Sequence, residues 1–144
     1  MTRKIILTAA LAAFVGISAA PAFANSVSIK QFGWANAAGG SQDGRKNAIG
    51  VHQNGSFNEA LGKQRGKRNT IAIGQEGWNN YGAVHQKGKN NAGGIGQFGS
   101  NHTAILTQDG NGNVAAGVQV GNGCNANVHQ AGKGNVAAFV QTCP

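Results

Sequence analysis

From residue 25 to residue 144, polar and apolar positions alternate within a strict eleven-residue beat. Gln recurs at Gln31, Gln42, Gln53, Gln64, Gln75, Gln86, Gln97, Gln108, Gln119, Gln130 and Gln141, eleven times at a constant spacing of eleven. Two positions after Gln stands Gly, at Gly33, Gly44, Gly55, Gly66, Gly77, Gly88, Gly99, Gly110, Gly121 and Gly132. Five positions after Gln stands Asn, at Asn36, Asn47, Asn58, Asn69, Asn80, Asn91, Asn113 and Asn135, with Asn25 in the same phase. The departures are Cys143 in the Gly column and His102 and Cys124 in the Asn column.

An eleven-residue period also describes a right-handed helical coiled coil. A Gly in every unit, at about 1 kcal/mol each against Ala, excludes it. Read as strands, the positions six, four and two before each Gln share one face with the Gln itself. The inner pairs are bulky before Gln31, Gln53 and Gln75 (Val27/Ile29, Ile49/Val51, Ile71/Ile73). They are small before Gln42 and Gln64 (Ala38/Gly40, Ala60/Gly62), and the alternation blurs after Gln86. The outward positions hold Lys30, His52, Glu59, Lys63, Tyr81, His85 and His129 among smaller residues. Because alternate units differ, the true period is 22. Large opposite small lets two sheets interdigitate across a thin core. The pattern predicts an all-β, two-sheet parallel β-solenoid of about five 22-residue rungs, each two short strands joined by Gly turns, with Gly supplying the positive φ of a tight turn. Buried Gln and Asn need partners, and stacked copies one rung apart supply them as amide ladders.

The N-terminal stretch is different text. Arg3-Lys4, the run IILTAALAAFVGISAA and Ala22-Phe23-Ala24 make a charged, an apolar and a cleavable segment. Residues 1–24 therefore read as a secretory signal peptide, and residues 25–144 as the repeat array. Cleavage leaves 12 − 2 = 10 basic against 4 acidic residues, a formal +6. The array starts in phase at Asn25 and shows no polar cap in the sequence. Uncapped strand edges are expected to accept further copies head to tail without closing.

The motif Asn/Ser-x5-Gln-x-Gly-x-x-Asn-x5-Gln behind a signal peptide resembles the curlin family, the amyloid subunits of bacterial curli fibres. The resemblance spans the repeat array. It implies a secreted cross-β fibre on a Gram-negative cell surface, serving biofilm matrix, adhesion and aggregation. It also implies export through the periplasm and a dedicated outer-membrane pore with accessory factors, and nucleation by a sister subunit. By position, the eleven Gln and the matched Asn take the ladder role and the Gly the turn role. The usual Gly/Asn-rich leader before the array is missing, and Cys124 and Cys143 are atypical. The regular columns favour the major fibre subunit; dense basic turns favour a minor nucleator.

Charge falls unevenly on the repeat. The turns after Gln42, Gln64, Gln86 and Gln130 hold Arg45, Lys46, Arg65, Lys67, Arg68, Lys87, Lys89 and Lys133. The opposite turns hold Phe32, Trp34, Phe57, Trp78 and Phe98. The basic stripe serves either solubility and like-charge repulsion, or attachment to extracellular DNA or acidic polysaccharide. Cys124 and Cys143 fall in corresponding turns one rung apart. A disulfide stapling the last rung, free thiols and inter-subunit cross-links are all open there. Asp43, Glu59, Glu76 and Asp109 lie on different units, so no carboxylate pair is available for acid/base catalysis, and the His are too scattered for a metal. No catalytic site, cofactor or small-molecule substrate is expected. An ice-binding solenoid would need a regular outward Thr array. A soluble basic nucleic-acid-binding β-solenoid explains the charge but not the Gln register.

Overall fold

A computed structural model of the chain describes residues 24–144. The segment read as a signal peptide, residues 1–24, lies outside the described residues apart from Ala24. Each eleven-residue unit forms one strand: β1 (Ser26–Trp34), β2 (Ala37–Arg45), β3 (Ala48–Ser56), β4 (Glu59–Lys67), β5 (Thr70–Trp78), β6 (Tyr81–Lys89), β7 (Ala92–Ser100), β8 (Thr103–Asn111), β9 (Val114–Asn122), β10 (Asn125–Lys133) and β11 (Val136–Cys143). Odd-numbered strands stack in chain order as one six-stranded sheet and even-numbered strands as a five-stranded sheet. Every pairing is parallel and shifts by 22 residues, as in Gln53↔Gln75 and Gln64↔Gln86. The molecule is a two-sheet parallel β-solenoid of five and a half turns, with neighbouring rungs about 4.8 Å apart.

The core is a thin sandwich whose knobs and holes come from the alternate units. Ile49, Val51, Ile71, Ile73, Val84, Ile95 and Leu106 are buried between the sheets with Ala60, Ala104 and Ala115. A Cβ added at Gly40 or Gly62 would press on Ile49, and one at Gly82 on Ile73. Where the sequence alternation blurs, the packing swaps sides. Gly93, now in the odd sheet, is the hole beneath Leu106 and Val84, and Gly117 lies under the ring of Phe139. Buried apolar surface contributes about 25 cal/mol per Å². With side chains this small, hydrogen bonding must carry an unusual share of the specificity.

The glycine expectation needs correction. Gly33 to Gly132 do have positive φ, from 102° to 128°, but they do not form the reversal. Each lies within a strand, and those up to Gly110 pair in register with the Gly of the next rung, as Gly55 does with Gly77, while Gly121 pairs with Cys143. The chain reverses two residues later, at left-handed Ala35, Lys46, Phe57, Arg68, Asn79, Asn90 and Asn101 (φ 55–58°) and then at Gly112, Gly123 and Gly134 (φ 68–71°). The Gly column is required by a close approach. A Cβ at Gly55, Gly66 or Gly77 would overlap the carbonyl oxygen of the Gly one rung on.

Candidate functional site

The structure draws all eleven Gln into two columns. In the odd sheet, each Nε2 donates to the Oε1 of the next rung from Gln31 through Gln53, Gln75, Gln97 and Gln119 to Gln141, at 2.7–2.9 Å. In the even sheet, the same bonds run from Gln42 through Gln64, Gln86 and Gln108 to Gln130, at 2.7–2.9 Å. The second Nε2 hydrogen crosses the core. Gln53 donates to the Ala37 carbonyl, Gln64 to Ala48, Gln75 to Glu59 and Gln86 to Thr70. Each Gln from Gln42 to Gln141 thus ties its own sheet along the axis and the two sheets to each other. The cost of burying an amide is met in full, since among the described residues no buried side-chain nitrogen or oxygen lacks a partner.

The Asn columns differ from a plain amide ladder. The Asn Oδ1 accepts the backbone N–H of the residue one rung on, as Asn47 does from Asn69, Asn58 from Asn80 and Asn80 from His102. Its Nδ2 donates to the carbonyl of a Gly nineteen residues on, as Asn47 does to Gly66 and Asn80 to Gly99. Asn36, Asn69, Asn91 and Asn113 make the same bond, and Asn135 donates instead to Ala131. Asn is therefore a clasp beside the reversal, holding the backbone N–H of the next rung in its own column and the carbonyl of the Gly that leads into the turn. Amide-to-amide bonds join only some members, such as Asn58 with Asn36 and Asn135 with Asn113.

His102 fills an Asn slot by chemical mimicry. It is fully buried; Nδ1 accepts the Cys124 N–H at 3.1 Å and Nε2 meets the Phe98 carbonyl at 3.2 Å. The neutral ring with hydrogen on Nε2 satisfies both bonds, reproducing Oδ1 and Nδ2 of Asn. Cys124, in the next slot, forms a disulfide with Cys143 across a Cα–Cα distance of 5.6 Å.

The surface is partitioned. Arg45, Lys46, Lys67, Arg68 and Lys89 crowd the edge after β2, β4 and β6. There Arg45 foremost, then Arg68, slight burial, Lys46 and Lys89 hold the Lys67 ammonium below its ordinary lysine value. Arg65 and Lys87 stand apart from this cluster. They sit on the outer face of the even sheet and pair with Asp43 at 3.3 Å and Asp109 at 3.6 Å. Lys133 sits at the end of β10, with Asn111 between it and Lys89 in the column. On the opposite edge, Trp34, Phe57 and Trp78 stack edge to face, with ring centroids 4.6 and 6.3 Å apart. Among the described residues, no three His, Cys, Asp or Glu side chains group as a metal site.

Two features escaped the sequence reading. The left-handed reversal column left a signal in the later units, where Asn and Gly occupy it (Asn79, Asn90, Asn101, Gly112, Gly123, Gly134). Lys46, Phe57 and Arg68 hide it in the earlier ones. His102 as an Asn substitute left no signal beyond its position.

A repeat-built parallel β-solenoid whose chemistry is invested in axial hydrogen-bond ladders belongs to the structural, not the enzymatic, class of proteins. The family described as "Curlin associated repeat" matches residues 44–77 and 78–110. These two adjacent matches identify curlin repeats in the chain and support a structural subunit of a secreted, extracellular curli fibre. No curated protein matches it in sequence.

Proposed function

We propose that this chain is the major, self-assembling subunit of a cell-surface amyloid fibre that builds biofilm matrix and mediates adhesion and aggregation. The observation that carries the reading is the continuity of the ladders. Both Gln columns run unbroken to the outermost strands, β1 and β11 in one sheet and β2 and β10 in the other. An edge strand therefore presents the same amides and the same unpaired backbone that every internal strand uses to bind its neighbour. A second copy needs no new chemistry. The partners in this reading are further copies, a nucleating sister subunit, and the outer-membrane pore and accessory factors that export the chain through the periplasm. Purified mature protein is expected to assemble alone, raising thioflavin fluorescence and giving a fibre reflection near 4.7 Å. Absence of that reflection would refute assembly. Adding a trace of the protein to a sister subunit separates the roles, because only a nucleator abolishes the lag at substoichiometric amounts.

A second reading concerns the basic edge, and the crowding around Lys67 favours it. Like charges held close enough to disfavour one another's ionisation recruit polyanions. Extracellular DNA and acidic polysaccharide are the ligands of matching charge, and in that role the fibre is the scaffold of a mixed matrix. DNA binding by assembled fibres is expected to weaken steeply between low and physiological salt. Binding that ignores salt would exclude the electrostatic mode.

A further inference from the structure

Exposed apolar groups and charges are sorted between the two sheets, and the fibre reading does not use this. Every exposed large apolar side chain among the described residues, from Phe32 and Trp34 to Val140, belongs to an odd strand or to the turn that follows one. The described residues carry 10 + 4 = 14 charged side chains, and only Lys30 and Glu76, one of each sign, are on odd strands. The remaining twelve lie on even strands or their turns. A solenoid built only to stack end on end has no need of this division, because both outer faces run parallel to the growth axis.

The apolar face also has relief. Gly50, Ala72, Gly94 and Ala116 are consecutive in register across β3, β5, β7 and β9. They floor an open trough of about 630 Å³. Phe98 and Val120, four residues further along their strands, stand beside it as a ridge and are 46% and 41% exposed. Two such faces related by a two-fold axis set the ridge of each against the trough of the other, the self-complementary arrangement an isologous contact requires.

We infer that the outer face of the odd sheet is a lateral docking surface for a second copy of this chain, pairing neighbouring filaments face to face. This inference rests on the fibre reading. Charge selects the occupant. Two copies meeting through their even sheets would desolvate six charges each on the outer face, Asp43, Glu59, Lys63, Arg65, Lys87 and Asp109, and bring their basic edges together, whereas the odd faces bring together two charges each of opposite sign. Size agrees. Six strands about 4.8 Å apart and nine residues long at about 3.3 Å each give a face of roughly 700 Å². A stable interface buries about 800 Å² per partner, and in a fibre the contact repeats with every subunit.

The test uses the mature chain assembled into fibres, with mass per unit length from electron microscopy as the readout. Wild-type fibres are expected to be laterally paired or bundled. Ala72→Lys with Gly94→Lys places two charges in the trough. A side chain fits at Gly94, where a Cβ would meet only the Ala72 carbonyl at 4.0 Å. These fibres should keep the 4.7 Å reflection while mass per length falls at least two-fold. Asn127→Lys, exposed at the same strand position in the even sheet, should leave bundling intact. If the double variant fails to assemble, Ala116→Lys carries the same expectation. Unchanged mass per length in the trough variants, equal loss in Asn127→Lys, or wild-type fibres that remain single filaments would each overturn lateral pairing. Only a missing 4.7 Å reflection in the wild type would overturn the fibre reading beneath it.

Discussion

At the scale of single residues, the repeat separates positions that look alike in the sequence. Gln75 accepts from Gln53 and donates to Gln97, Glu59 and Asn80, all within 3.0 Å. Gln75→Ala leaves buried groups on both neighbouring rungs unsatisfied, at about 1–3 kcal/mol each. His85→Ala, at an exposed outward site, should stay within about 0.5 kcal/mol. Denaturant midpoints of assembled fibres compare the two, and equal losses would count against the ladder. Glycines divide as sharply. Gly77→Ala sets a Cβ against the Gly99 carbonyl at a φ of 122° and should block assembly, whereas a Cβ at Gly74 meets nothing within 4 Å. Gly74→Ala should be neutral or stabilise by about 0.4–1 kcal/mol. At His102, Asn should restore the clasp seen in its column, while Ala should cost about 1–3 kcal/mol for the stranded Cys124 N–H.

At the scale of the element, the strands and their inward faces were legible because burial on a strand alternates with period two and the Gln column fixes the phase. Ile49, Val51 and Gln53 had no other way to point. The turn was less legible. Gly55 and Phe57 both carry positive φ, yet only Gly advertises it, so the sequence pattern alone places the reversal two residues early. What identifies the Gly column is a contact 22 residues away, which local turn chemistry does not reveal. The pairing of Arg65 with Asp43 was hidden for the same reason, since partners one rung apart are remote in sequence. The basic edge allows a prediction with a definite sign. Folding lowers the Lys67 pKa, so the unfolded chain binds more protons across the window between the two values. Stability therefore rises with pH through that window. At neutral pH the repulsion is fully present, and salt screens it. Lys67→Gln should shorten the assembly lag at low salt and lose that advantage as salt is added. An advantage that persists at high salt would place its origin elsewhere.

At the scale of the whole molecule, each rung touches only the rungs above and below, so stability is close to a sum of nearest-neighbour terms. The invariant the chain must keep is parity. Odd units carry the aromatic edge and the apolar face, and even units carry nearly all the charges. Removing residues 76–97, one full rung, joins Gln75 to Phe98 and leaves every later strand in its own sheet. Removing residues 76–86 preserves the eleven-residue Gln register equally well but sends β7 to β11 to the opposite sheets. Phe98, Val120 and Val140 would then line up with the charged face, and Asp109 and Lys133 would move to the apolar one. The Gln ladder alone does not distinguish these deletions; the 22-residue pattern does. Fragmented wild-type fibres should therefore shorten the lag of the 22-residue deletion nearly as much as that of the full chain, and do little for the 11-residue deletion. Equal seeding of both would mean that the amide columns alone template growth and that the sorting of apolar and charged faces between the two sheets is irrelevant to it.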